Sequence, residues 1–184
     1  MSVYLKELVL ATNRTREYGL EAPNFQPYLT KRWLDENIIQ EIAKLLQSKF
    51  PGTTVEDLST KCLSLNKRMA PAVSELLGCR VLYTLGWIDE VVEGGYYSGF
   101  DDKFIADTLL YGHHGSKLNA HAWLTLPSME IIDLTILTTI GHLKNQPALC
   151  GHLIMRHVDE LTGISYKPVL VGDDFFAKAG IKVE

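Results

Sequence analysis

Two short apolar runs joined by Pro127-Ser128-Met129 constrain this chain more than any other feature. His121–Leu126 and Glu130–Leu137 are rich in β-branched and aromatic residues, and such runs around a short turn read as an antiparallel hairpin. A three-residue turn pairs Leu126 with Glu130, and therefore Trp123 with Asp133. Side chains alternate along a strand, so His121, Trp123 and Thr125 share one face, as do Ile131, Asp133 and Thr135. His121 and Asp133 are then expected as diagonal neighbours on one sheet face. A slip of one residue would send them to opposite faces, so the register is a structural claim that can fail.

The rest of the chain supplies helices before this hairpin and further elements after it. Residues 1–30 alternate short apolar patches with turn formers (Asn13, Gly19, Pro23, Asn24, Pro27) and read as an N-terminal arm. Trp33, Leu34, Ile38, Ile39, Ile42, Leu45 and Leu46 recur at helical steps, predicting a helix over 31–50 capped by Thr30 and stopped by Pro51-Gly52. A second helical pattern covers Cys62–Leu77, with Gly78 ending it. Pro71 inside it is expected to kink or interrupt it. Arg80–Ile88 reads as a strand. Residues 89–120 read as a Gly-rich loop (Gly94-Gly95, Gly99, Gly112, Gly115) with one short helix near Asp101–Tyr111. Beyond the hairpin the pattern predicts a helix over Gln146–Leu161, a strand over Tyr166–Val171 and a short helix over Asp173–Ala179. Helices first and strands after give an α+β fold with an antiparallel sheet, in a single domain spanning 1–184.

Size and composition bound the function classes. At 184 residues the chain is long enough to bury a core without staples, and 46% hydrophobic with 22% charged residues is ordinary for a globular protein. A net charge of −4 and no dense Lys/Arg patch argue against a nucleic-acid partner. No apolar run approaches the roughly 18 residues of a bilayer span, so no membrane role is expected. The three cysteines, Cys62, Cys79 and Cys150, form no C-x-x-C pair. Free thiols suit a reducing cytosol, and suit equally a protein folded there and exported to act elsewhere.

Cys62 opens its helical run behind Ser59, Thr60 and Lys61, residues suited to a helix start. A helix N-terminus offers a positive dipole end that favours a thiolate, and N–H groups that can face an oxyanion. The alternative is a buried core cysteine, the common fate of free Cys. An Asp flanked by Ile131, Ile132 and Leu134 is costly to bury without a hydrogen-bonding partner. His121 is one candidate for that partner. A strand-end Asp and an unrelated surface His is the other reading. Cys79 and Cys150 sit among apolar neighbours and read as core. Asp101-Asp102 and Asp173-Asp174 read as caps or exposed acids. His113, His114 and His121 have no recognised metal-ligand spacing, and no H-E-x-x-H occurs.

Taken in order, these pieces resemble the transglutaminase-like superfamily of papain-like cysteine enzymes. The resemblance rests on Cys62 and the apolar run to Leu77-Gly78, a strand closing on Gly86-Trp87-Ile88, His121-Ala122-Trp123, and Ile132-Asp133-Leu134-Thr135. It covers roughly residues 55–137, the expected catalytic core. The chain departs from the family pattern at Thr60-Lys61, at Leu82 and at Pro71. The resemblance implies a papain/transglutaminase-like fold, Cys62 as nucleophile, His121 as base and then acid, and Asp133 as orienter. Trp123 would wall the substrate site or pack as a core aromatic. No cofactor or metal is implied, and the expected partner is a protein or peptide substrate. Two other readings stay open: a binding module on the same fold, and a metal-dependent hydrolase built on the histidines.

Overall fold

A computed structural model describes residues 2–90, 95–115 and 118–183. In chain order the elements are α1 (Val3–Glu17), α2 (Glu36–Lys49), α3 (Val55–Thr60), α4 (Cys62–Leu77), β1 (Leu82–Glu90), α5 (Asp102–Tyr111), β2 (His121–Thr125), β3 (Glu130–Asp133), α6 (Ile136–Leu143), β4 (Ile154–His157), β5 (Ile164–Val171) and α7 (Asp174–Lys178). Two single-turn 3-10 segments, Pro147–Leu149 and Val158–Glu160, flank β4. The fold is α+β, with a five-stranded antiparallel sheet in the order β4-β3-β2-β1-β5. Among the described residues no helix is long and apolar enough to cross a membrane. The chain forms two compact units: Met1–Phe25, Leu82–Ala122 and Val158–Glu184 in the first, and Gln26–Val81 and Trp123–His157 in the second.

In the first unit, the N-terminal segment departs from the expected arm, because Val3–Glu17 is a helix. Ser2 caps it by accepting the Leu5 N–H, and Tyr4, Leu8, Ala11 and Thr15 recur at helical spacing and are buried. Turn formers such as Asn13 sit on its polar side, where helix propensity yields to packing. β5 meets α1 through Val171 N–H donating to Thr15 Oγ1 at 2.9 Å and through a Lys167–Glu7 ion pair at 3.0 Å. β1 begins at Leu82 rather than Arg80 and pairs antiparallel with β5. The register shifts between Leu85 and Gly86, where Gly86 faces Pro168. A proline cannot donate to the ladder, so it sits at this bulge. α5 lies where expected, capped by Asp101. Gly94 and the rest of 91–94 and 116–117 lie outside the described residues.

The second unit holds the helices that precede the hairpin. α2 starts at Glu36 with Asp35 as cap, five residues later than the pattern predicts. The cause is a buried acid: the N–H groups of Trp33 and Leu34 donate to the Glu130 carboxylate at 2.9 and 3.0 Å, so they are not available to a helix. α4 covers Cys62–Leu77 as predicted and runs through Pro71 without interruption. Pro71 is exposed, and Gly78 closes the helix at φ 61° in the left-handed region. The helix expected over Gln146–Leu161 is instead a 3-10 turn followed by β4. Gly151 at φ 82° breaks the run, and Ile154–His157 pair with Asp133–Glu130 along β3. Non-local pairing here overrides local periodicity.

Candidate active site

The hairpin has the predicted register. Leu124 faces Ile132 and Thr125 faces Ile131, and Leu126 N–H donates to Glu130 C=O at 3.0 Å. Asp133, the next residue of β3, pairs with Ile154 of β4 on its other side. Met129 turns the chain at φ 67°. β3 ends at Asp133, not at Leu137, and α6 begins three residues later.

Asp133 explains that early end. Its Oδ1 accepts three hydrogen bonds, from Thr135 N–H at 2.9 Å, Thr135 Oγ1–H at 3.2 Å and Ile136 N–H at 3.1 Å. Asp133, Thr135 and Ile136 are all fully buried, so these bonds replace water at the first helical N–H groups of α6. The hydrogen-bonding partner that a buried aspartate requires is, for this oxygen, the chain immediately downstream.

Cys62 is the first residue of the sixteen-residue helix α4 and is buried. The helix start differs from the expectation that Ser59 and Thr60 lead into it. Those residues close the separate short helix α3, and Lys61 is the hinge between α3 and α4. Asp57 and Lys61 pair across one turn at 2.7 Å, and Asp57 also completes a capping box with Thr54. The Lys61 ammonium, with the Thr54 donors, holds the Asp57 carboxyl down at about 2. From the other side, the Thr139 hydroxyl on α6 has two carbonyl acceptors in reach, Thr135 C=O of its own helix at 3.2 Å and Ser59 C=O at 3.3 Å, and Asn66 Nδ2 donates to Cys62 C=O at 2.9 Å. α6 therefore supports the Cys62 corner in the same unit in which Asp133 fixes the start of α6. Burial pushes the Cys79 thiol up.

His121 opens β2 in the first unit and is fully buried. The Tyr97 ring stacks on its imidazole, with centroids 5.3 Å apart and planes at 22°. Trp123, also fully buried, belongs to the second unit. A cavity of about 540 Å³ in the first unit is lined by Asp101, Asp107, Tyr111, His113 and His114. His113 leans edge-on against Phe104, and its Nε2 is buried with no hydrogen bond among the described residues. Among those residues no three His, Cys, Asp or Glu side chains gather to hold a metal ion.

Three residues of the region escaped sequence reasoning. Glu130 is nearly fully buried and, besides Trp33 and Leu34, takes a hydrogen bond from the Ser128 hydroxyl. An acid before Ile131-Ile132 carries the same signal that drew attention to Asp133. Tyr97 and Thr139 carry no signal in the sequence.

No family model, no curated protein and no solved structure matches the chain.

Proposed function

We propose that the chain is a cysteine-dependent hydrolase or acyltransferase of transglutaminase-like type, acting on a peptide or glutamine amide. The observation that carries the reading is the β2–β3 register, Leu124 to Ile132 and Thr125 to Ile131, which is the frame the Cys–His–Asp assignment requires. The position of Cys62 at the start of a long helix supports it, since backbone N–H groups at a helix start can face an oxyanion.

In this reading His121 takes the proton of the Cys62 thiol, and the thiolate sulfur attacks the amide carbonyl carbon. The C–N bond breaks, His121 delivers the proton to the departing nitrogen, and an acyl thioester remains on Cys62. Water then attacks the same carbon with His121 as base, releasing a carboxylic acid and restoring the thiolate. An amine in place of water yields a new amide. Asp133 fixes the imidazole tautomer and stabilises its charged form. Trp123 supplies an apolar wall, and the Gly-rich stretch 89–120 before His121 supplies substrate selection, because segments that lead into a catalytic residue can line its cleft.

The test is competitive alkylation with iodoacetamide at mildly acidic pH, read by mass spectrometry at each cysteine. Cys62 should react fastest, and Cys62→Ala should lose turnover in a screen of glutamine and peptide amides while keeping its fold. Cys62 reacting no faster than Cys79 and Cys150 would sink the reading.

A further inference from the structure

Tyr97 holds a backbone conformation that its side chain disfavours, with φ at 66°. For a bulky non-glycine residue this left-handed geometry is strained, and it persists only where the surroundings over-determine it. Here they do, entirely within the first unit. On one side Tyr96 is locked to β1 by two hydrogen bonds, Ile88 N–H to Tyr96 C=O at 2.9 Å and Tyr96 N–H to Ile88 C=O at 2.6 Å. Gly95 permits this approach, since a Cβ there would lie 2.8 Å from the Ile88 carbonyl oxygen. On the other side Phe100 N–H donates to Tyr97 C=O at 3.1 Å, and the fully buried Phe100 ring packs edge-on against Phe175 at 5.7 Å. Both ends of the corner are therefore fixed, and the strained residue between them lays its ring on His121.

We infer that Tyr97 is a positioning residue for His121, a role that rests on the acid–base assignment above. An imidazole that shuttles a proton between a thiol and an amine must present its nitrogens in one plane. The ring of Tyr97, parallel to within 22°, removes the ring flips and tilts that would spoil that plane. Parallel stacking also suits the charged form, because an aromatic face attracts a cation. The left-handed backbone is what aims the ring.

Three variants test this. Tyr97→Phe keeps the stack, Tyr97→Leu removes it, and Tyr97→Gly removes it while relieving the backbone. The first readout is the ring-proton NMR shifts of His121, which should carry a ring-current displacement in the wild type and in Tyr97→Phe and lose it in the other two. The second is the iodoacetamide rate at Cys62. It should match the wild type in Tyr97→Phe and fall roughly two- to tenfold in Tyr97→Gly, a variant in which relief of the left-handed backbone offsets part of the packing lost with the ring. Tyr97→Leu guards against a glycine-specific effect; Tyr97→Gly covers the case in which the leucine variant does not fold. If Tyr97→Gly reacts as fast as the wild type, the positioning role is wrong and the nucleophile assignment stands. If Tyr97→Phe slows like Tyr97→Gly, the ring stack is not the cause and the inference is overturned. A wild-type Cys62 no more reactive than Cys79 and Cys150 overturns the proposed function itself, and this inference with it.

Discussion

Replacing Asp133 by two different residues separates its structural task from its proposed chemical one. The Oδ1 oxygen receives Thr135 N–H, Thr135 Oγ1–H and Ile136 N–H, and all three residues involved are fully buried. Asp133→Ala strands two backbone donors where water cannot reach them, at about 1–3 kcal/mol for each. The Thr135 hydroxyl can rotate toward another acceptor, so the two backbone donors set the total, about 2–6 kcal/mol. For a chain of this size that lowers the melting temperature by roughly 4–24 °C. Asp133→Asn behaves differently, because its amide oxygen accepts the same three donors. At Oδ1 the charge contribution to each bond is lost, about 1–2 kcal/mol in all.

Turnover should rank the variants otherwise. If Asp133 orients and stabilises the His121 imidazolium, the asparagine variant loses about 10³- to 10⁴-fold in kcat/KM while remaining folded. The two measurements are urea denaturation and steady-state kinetics on an amide that the wild type turns over. A folded Asp133→Asn enzyme with full activity would refute the orienting role. An Asp133→Ala protein as stable as Asp133→Asn would refute the account of the start of α6.

Two further predictions rest on the same kind of accounting. Glu130→Ala removes the acceptor of Trp33 N–H, Leu34 N–H and the Ser128 hydroxyl. Because Trp33 and Leu34 are only half-buried and water can replace part of the loss, it should cost about 2–4 kcal/mol in urea denaturation and make residues 28–34 protease-sensitive; a loss near zero would sink the clamp. Asp57 has its pKa lowered from 3.8 to about 2, so its contribution is complete above about pH 4 and is lost as pH falls through 2. The stability gap between wild type and Asp57→Asn should therefore be present at pH 5 and close toward pH 2, and a gap independent of pH would contradict the Asp57–Lys61 pairing.

The hairpin register was legible because three facts converge on it: β-rich runs, a three-residue turn and strict alternation. The α4 span was legible because Gly78 stops it and its apolar face is regular. Legibility failed where the deciding partner is distant in sequence. The Trp33 and Leu34 N–H groups leave the helical pattern for a carboxylate about a hundred residues on, at Glu130. Ile154–His157 leave theirs for β3. The N-terminal helix was missed for a different reason. Its buried stripe of Tyr4, Leu8, Ala11 and Thr15 includes a threonine, whose burial becomes acceptable only when Oγ1 accepts Val171 N–H and donates to Ala11 C=O.

The same distinction governs the site. Both acids flagged or overlooked in the hairpin, Asp133 and Glu130, are buried, and both accept backbone N–H groups. An acid in an apolar run thus signals an obligation to be hydrogen-bonded before it signals catalysis. What singles out Asp133 is where its helix leads. α6 carries Thr139, whose hydroxyl shares its proton between Thr135 C=O and Ser59 C=O, and Ser59 stands three residues before Cys62. A deletion at Asp133 therefore disturbs the Cys62 corner through α6 even if no proton relay exists. An alanine variant at Asp133 would lose stability and turnover together, and that loss would carry no information about mechanism. Only shape-preserving changes separate support from chemistry. Asp133→Asn retains the oxygen that starts α6. Tyr97→Phe likewise retains the ring over His121.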